Sequence, residues 1–471
     1  MSMKKFIKIL FICFLTFMLA SCSIVDMDKV NVEQPNSEKF IIRGKWAVTK
    51  CIFSGDSFVD NFQFKELIGK EVGFTNTQAV ILNQYIDGPV YRSRNLDTRS
   101  FLFRQYNIEK EKLGINEDRI DVVDIYKNDE IFYEILRITD KEALLYFRGF
   151  FLQINKIDDK ISDEEMKDLI KKTKDFDDMD LDLKTSDDNA LLLGIRRPSN
   201  TSIEGYEYSS YFINLSKDKN IEVRELKDLI VPKRSEFFKV KVERRFNEDI
   251  YDEIRIEPLK GNPVFSSYVN DQKYFKRIDY ISPDYISLEM TNVRSNFKIL
   301  RLKMIENISS PLSLKLRDFI ENGDNVYKDS ATGIIQKSPS NQIDTSNLGI
   351  YRREGYWKLR GRINDFNSSL YEDFDIMTIL PKDMAKLDSL ALPFNTIKKE
   401  LNYVKDAFTS PNHRYLICIQ EGNLKIYEIN YGKIDSEVLV EKFIGLDSDV
   451  IMAEWAVGSY AGLWDIRLKE D

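Results

Sequence analysis

The chain has 471 residues, with 69 lysines and arginines against 77 aspartates and glutamates, a formal net charge of −8 and a single histidine. An acidic surface argues against nucleic acid, whose phosphates must be neutralised by clustered Lys and Arg. One histidine excludes a multi-histidine zinc site and leaves any histidine-dependent triad to rest on His413 alone.

The chain opens with Lys4, Lys5 and Lys8, followed by an apolar run from Ile9 to Ala20. That run is too short for the roughly 20 residues needed to span a bilayer. It ends in Leu19-Ala20-Ser21-Cys22, which resembles the lipobox of bacterial lipoproteins. The resemblance implies a signal peptide over 1–21, recognition by the signal peptidase through Leu19, Ala20 and Ser21, and acylation of the Cys22 thiol with palmitate-type chains. At roughly 0.8 kcal/mol per buried methylene, two or three such chains anchor a protein stably. An ordinary secretory signal or an uncleaved anchor is the alternative. Loss of 1–21 removes three lysines and no acid, so lipid rather than surface charge must hold the mature chain to an anionic membrane. A composition rich in Lys, Ile and Asn, with Ser23 after the cysteine, points to a low-GC Gram-positive cell and the outer face of its cytoplasmic membrane. In a Gram-negative cell Ser23 would permit transfer to the outer membrane.

Residues 22–39 are polar, contain Pro35 and read as a flexible tether. From 40 to 157 short runs alternate apolar and polar residues, among them Trp46–Phe53, Ala79–Leu82, Ile120–Tyr126, Ile131–Ile138, Ala143–Phe147 and Phe150–Ile154. Period-two runs at this spacing predict a small antiparallel barrel or sandwich. The opening Gly44-Lys45-Trp46 resembles the Gly-x-Trp start of lipocalin-like barrels, which implies that Trp46 plugs one end. A closed core is expected rather than a ligand cavity.

Residues 158–188 are dense in Asp, Glu and Lys and predict a short solvated helix followed by an acidic linker. Asp178, Asp180 and Asp182 suggest a calcium loop, but Leu183 stands where the turn glycine belongs and Asn189 where the bidentate glutamate belongs.

Strands return over 189–471. Ser282-Pro-Asp284 leads into Tyr285–Met290 and Phe297–Leu302, and Ser410-Pro-Asn412 leads into Tyr415–Ile419 and Leu424–Ile429. Asp or Asn closes such a turn on the backbone and Pro presets its dihedral. The repeated turn, strand and hairpin resemble the two inner strands of a β-propeller blade. Leu191–Ile195, Tyr211–Leu215 and Ile221–Leu226 could form another blade, and Gly462–Leu468 resembles the last strand of a WD-type blade. Leu312–Phe319 reads as helical, and 321–347 as a polar insertion.

The expected fold is therefore mainly β: a small barrel or sandwich, then a propeller-like domain, with few short helices. Cys51 and Cys418 sit in strand-like runs and are expected as buried thiols, a disulfide between them being the alternative. His413 is expected as a solvated turn residue. Trp46, Trp357, Trp455 and Trp464 are expected as packing anchors, and the repeat of Gly-x-Trp at Gly355-Tyr356-Trp357 is ascribed to chance. Glu454 beside Trp455 and Asp465 beside Trp464 are the first carboxylates to consider for hydrolysis, with packing as the competing explanation. No catalytic, cofactor-binding or metal residue is assigned. The chain as a whole resembles surface lipoproteins of clostridia-like bacteria. The expected role is non-catalytic binding or scaffolding at the envelope, with the membrane and an envelope protein or polysaccharide as partners. A carboxylate-dependent hydrolase of wall polysaccharide is the alternative.

Overall fold

The computed structural model describes residues 42–53, 67–82, 84–127, 130–147, 149–177, 186–215, 221–233, 236–246, 250–260, 267–268, 273–337, 343–365, 369–430 and 432–469. Leu19, Ala20, Ser21, Cys22 and the Asp178–Asp182 run lie outside these residues. As expected, the protein is mainly β, built from antiparallel sheets with five short helices among the described residues.

The first nine strands are β1 (Gly44–Phe53), β2 (Glu71–Phe74), β3 (Gln78–Ile81), β4 (Gln84–Asp87), β5 (Val90–Asp97), β6 (Arg119–Lys127), β7 (Glu130–Arg137), β8 (Glu142–Phe147) and β9 (Phe150–Asp158). They form one sheet in the order β4-β3-β2-β1-β9-β8-β7-β6-β5. Pairing β1 with β9 brings the ends of the meander together, and the Tyr91 hydroxyl of β5 donates to Thr75 O beyond β2 at 3.0 Å. The sheet thus curls into an open barrel. Its inside is a single apolar cluster that includes Trp46, Phe74, Ile86, Ile125, Phe150 and Leu152. A bulge between Val48 and Lys50 resets the alternation, so Cys51 faces inward with Trp46 and Val48. Trp46 is buried, its indole N–H donates to Arg43 O at 3.0 Å, and the Lys156 ammonium lies 5.1 Å from its ring centroid.

Helix α1 (Thr98–Tyr106) covers the outer face of this sheet. Asp97 caps it by accepting from Ser100 N at 2.8 Å, and Asn107 ends it in the left-handed region at φ 49. Helix α2 (Asp163–Asp177) starts at a Ser162/Glu165 capping box and lays Met166 and Leu169 on Val80. The predicted helix is present, but it packs on the sheet instead of standing in solvent.

The remaining strands make five sheets. The first is β10 (Asn189–Pro198), β11 (Tyr206–Asn214) and β12 (Glu222–Leu226); the second is β13 (Leu229–Lys233), β14 (Glu236–Phe246), β15 (Ile250–Pro258) and β16 (Ser267–Tyr268). The third is β17 (Tyr274–Ile281), β18 (Tyr285–Asn292) and β19 (Lys298–Met304). The fourth is β20 (Leu348–Arg353), β21 (Tyr356–Asn364) and β22 (Tyr371–Asp375). The fifth is β23 (Val404–Thr409), β24 (Tyr415–Gln420), β25 (Asn423–Asn430) and β26 (Lys433–Phe443). The final strand, β27 (Asp449–Val457), returns to pair with β10 and so completes the first sheet with the end of the chain. β17 lies against β15, β20 and β27, so the third sheet packs on the first, second and fourth; one apolar cluster joins the first, third, fourth and fifth sheets and another the first, second and third.

The two Ser-Pro-Asp/Asn turns hold equivalent places. Tyr285 N donates to Ser282 Oγ and Tyr415 N to Ser410 Oγ, each at the start of a second strand. The strands they introduce are the second and third of their sheets; β17 and β23 precede them. Three other expectations are corrected. Gly462–Leu468 is not a strand but part of helix α5 (Ser459–Lys469). Gly458 at φ 65 ends β27, the edge of the first sheet is already taken by β27, and Ala461, Trp464 and Leu468 pack as a helical stripe. Trp464 meets Phe237 edge-on at 5.6 Å. Leu312–Phe319 forms only a single 3-10 turn at Leu316–Asp318, whereas the polar insertion carries helix α3 (Gly323–Lys337) with Tyr327 and Ala331 buried. A further short helix, α4 (Phe394–Glu400), precedes β23.

Candidate functional site

The two β units meet through side chains rather than through a shared sheet. The Tyr146 hydroxyl donates to Leu390 O at 2.7 Å, Arg99 to Met377 O at 2.7 Å, and Asn395 Nδ2 to Gln105 Oε1 at 2.5 Å. Lys358 is buried, donates to Phe103 O at 3.4 Å and lies 4.5 Å from the Phe103 ring centroid. Its burial lowers its pKa. His413 belongs to this junction too. It is buried in its turn at φ 57, with its ring 5.9 Å from that of Phe150, and is not the solvated residue expected. Gly149 makes the approach feasible, since a Cβ there would come within 2.9 Å of the His413 ring.

Beside these contacts lies a cleft of about 270 Å³. One wall comes from the end of α1 and from β8, through Tyr106, Asn107, Ile108 and Tyr146. The other comes from the start of β21, Tyr356 and Trp357, and from the segment 379–390. Tyr106, Tyr146 and Phe151 pack against each other at 4.9 to 5.0 Å, which holds the Tyr106 ring in place. Two buried polar atoms of this wall, Tyr106 Oη and Asn107 Oδ1, have no hydrogen-bond partner among the described residues. Burial, followed by the nearby Glu134 charge, raises the Tyr106 pKa far above its ordinary value, so the phenol keeps its proton. Asp388, also on the wall, accepts from Arg352 at 2.5 Å and from Trp357 N at 2.7 Å.

A second cavity, of about 280 Å³, lies where the first, third, fourth and fifth sheets meet and is threaded by ion pairs. Arg352 reaches Asp388 and Asp406 (2.9 Å) and donates to Gly355 O and Ala407 O. Arg196 bridges Asp279 at 2.5 Å and Asp449 at 2.6 Å, and Arg277 bridges Asp279 at 2.7 Å and Glu289 at 3.1 Å. Burial alone would raise the Asp279 carboxyl, but Arg277 and Arg196 hold it below the ordinary range.

The residues singled out from sequence separate here. Asp465 is buried and held by Arg224 at 2.8 Å and Lys469 at 2.9 Å, so packing accounts for it. Glu454 differs. It is half-buried on β27, and burial pushes its pKa up to about 8, with Lys386 opposing and Asp284 adding to the shift. No ion pair at contact distance engages it among the described residues. Trp46, Trp357 and Trp464 are buried anchors, as expected. The Gly-x-Trp repeat is more than coincidence of spelling. Gly44 at φ 93 and Gly355 at φ 81 both admit the chain at strand starts where a Cβ would collide, with Asp158 O at 2.0 Å and Leu390 Cδ1 at 2.6 Å. No disulfide joins Cys51 and Cys418, whose thiols burial pushes up, Cys51 to about 11. The cleft was not anticipated; Asn107 after an apolar-periodic Phe101–Tyr106 was its one local signal, as a left-handed helix end.

No family model matches the chain, and no curated protein matches it. Among solved structures, one described as a "putative 6-phosphogluconolactonase" from Bacteroides uniformis covers 57% of this chain and 100% of its own, at 10% identity and a TM-score of 0.17. At that score the likeness carries no argument about fold or activity.

Proposed function

We propose that this protein is a non-catalytic binding lipoprotein of the bacterial cell envelope. In this reading the lipid on Cys22 anchors it at the outer, extracytoplasmic face of the cytoplasmic membrane. Residues 22–39 are the tether, the five sheets are blades of a propeller-like scaffold, and the open barrel docks on one end of that scaffold. The address is supported by the lipobox, its charged n-region and its short apolar run. The binding role is supported by one observation above others: a cleft walled by Tyr106, Tyr146, Tyr356 and Trp357 lies between the units, and two buried polar atoms of its lining residues, Tyr106 Oη and Asn107 Oδ1, have no partner among the described residues. Such atoms are costly unless a partner is supplied.

The hydrolase reading is weaker. It requires two carboxylates facing each other across a substrate, roughly 5 to 9 Å apart. Asp388 and Asp406 are committed to Arg352, and Asp465 to Arg224 and Lys469, which leaves Glu454 without an assigned second acid.

Metabolic labelling with an acyl probe tests the anchor. Wild-type protein should take the label and fractionate with membranes, and Cys22→Ala should do neither. Equal labelling of the two would refute the anchor. Native mass spectrometry of the full chain released from micelles should find a retained small molecule. Release of reducing ends from purified wall by the wild-type protein would overturn the non-catalytic reading.

A further inference from the structure

We infer that the cavity where the first, third, fourth and fifth sheets meet binds a small oxyanion, phosphoryl or carboxylate, on the guanidinium of Arg360. The inference goes beyond the binding reading above, because this cavity shares no lining residue with the cleft between the units. Its wall carries Arg196, Arg277, Arg352, Arg353, Arg360 and Lys405 against Asp279, Glu354, Asp406 and Asp449. Six cations against four acids leave a surplus of two positive charges on this wall, in a chain whose net charge is −8. The count permits an anion, and Arg360 supplies its seat.

The Arg360 guanidinium lies 3.9 Å from the Tyr351 ring centroid and makes no hydrogen bond among the described residues. The carboxylate paired with it, Asp373, stands 3.6 Å away and is held by Arg362 through hydrogen bonds of 2.6 and 2.9 Å. An aromatic ring covers one face of a guanidinium and leaves its N–H edges free. The Arg360 side chain is 24% exposed, and none of its nitrogens is among the fully buried unpartnered atoms, so an ion entering the cavity can reach them. Donors set in one plane match two oxygens of a phosphoryl or carboxylate group. Lys405 offers a second contact. It is half-exposed and gives two of its three ammonium hydrogens, to Ser448 O at 2.7 Å and Asp449 at 2.9 Å.

A cation has no comparable seat. Asp279 is held by Arg196 and Arg277, Asp406 by Arg352, and Asp449 by Arg196 and Lys405. Glu354 is the one lining acid without an ion pair among the described residues, and it is already counted against the surplus. Ile419, Val450 and Ile451 complete the lining, and such apolar walls strengthen charge attraction by lowering the local dielectric. About 280 Å³ falls just below the roughly 300–1,000 Å³ of drug-sized pockets, which suits one small anion or the anionic end of a larger molecule.

The test uses full-length protein in detergent micelles, with inorganic phosphate and acetate as probes and sodium chloride adjusted to keep the ionic strength constant. Phosphorus NMR line broadening follows phosphate, saturation-transfer NMR follows acetate, and the rise in Tm follows both. Titrations run to about 20 mM, because a lone ion is expected near the millimolar range. Wild-type protein should bind at least one probe; tighter phosphate assigns the site to a phosphoryl group, and tighter acetate to a carboxylate. Arg360→Gln should weaken binding by about tenfold or more, as loss of a charged hydrogen-bonding partner does. It should leave the unliganded Tm nearly unchanged, since no hydrogen bond of the protein is lost. Arg360→Lys keeps the charge without the planar fork and should recover part of the affinity, which also reads the site if the glutamine variant fails to fold. Lys405→Gln should weaken binding to a smaller degree. Arg317→Gln, at a half-exposed arginine outside the cavity, should change nothing. Unchanged affinity in Arg360→Gln, an equal loss in Arg317→Gln, or no binding of either probe by wild-type protein would overturn the inference. None of these outcomes bears on the cleft between the units.

Discussion

Around Trp46 and around Arg352 the chain fills the middle of a β assembly with opposite chemistry. Inside the open barrel, Trp46, Phe74, Ile125, Phe150 and Leu152 form one apolar cluster, and the Lys156 ammonium lies over the Trp46 ring. Where the first, third, fourth and fifth sheets meet, Arg196 reaches Asp279 and Arg352 reaches Asp406 across different sheets, while Arg196–Asp449 and Arg277–Glu289 join paired strands within one sheet. Apolar packing is non-directional and tolerates repacking at modest cost. Buried ion pairs are directional, and their net contribution to stability is small while both partners stay, yet large when one is removed. The comparison suggests a division of labour: the barrel is held by area, and the sheet-to-sheet register by paired charge.

The largest effect that would break this comparison is expected at Arg352. Arg352→Ala strands Asp388 and Asp406 in a buried setting and should cost about 4 kcal/mol in chemical denaturation. Adding Asp388→Asn and Asp406→Asn should recover more than half of that loss, because the penalty lies in the unpaired charges. A loss of under about 1 kcal/mol in the single variant would show that the charged centre is not structural. In the barrel, Leu152→Ala should cost about 3 kcal/mol through lost transfer energy and the cavity left behind. That cost should be the same in low and high salt, unlike any effect among charges.

The smallest effect concerns Glu454 and sharpens the contrast through pH. Its folded pKa of about 8 lies above the unfolded value, so the folded chain holds a proton that the unfolded chain has released. Stability from the protonated form is complete below pH of about 4 and is lost as pH rises toward 8. Glu454→Gln should therefore match wild type at pH 4 and exceed it by a growing margin as pH rises toward 8, levelling off above it. An identical pH profile for the two proteins would place the carboxyl in solvent. Leu152→Ala should leave the shape of the profile unchanged.

Much of the fold was legible residue by residue. Alternation marked β1, β6 and β7, and the Ser-Pro-Asp/Asn turns marked the entries to β18 and β24. The misreadings share a cause. Gly462–Leu468 satisfies both a strand alternation and a helical stripe, and what decides between them is that β27 has already taken the free edge of β10. His413 looked solvated because turns usually are, and it is buried because a second β unit docks on its turn. Tyr106 could be assigned to an apolar helix face, but no local pattern tells whether its hydroxyl will find a partner.

By itself the sequence determined the strand-rich class, the alternating runs that became β1, β6 and β7, the Ser-Pro-Asp/Asn turns before Tyr285 and Tyr415, and the motif ending in Cys22. These follow from sterics, burial period and short-range recognition, all of which act within a few residues. Only the tertiary structure decided that Arg196 meets Asp449, 253 residues away, and that Tyr146 reaches Leu390 across 244 residues. It alone made the cleft, whose walls come from residues 106–112, 146, 356–357 and 379–390. Such pairings are selected by the summed packing and charge compensation of the whole chain, and no single window of sequence contains that sum.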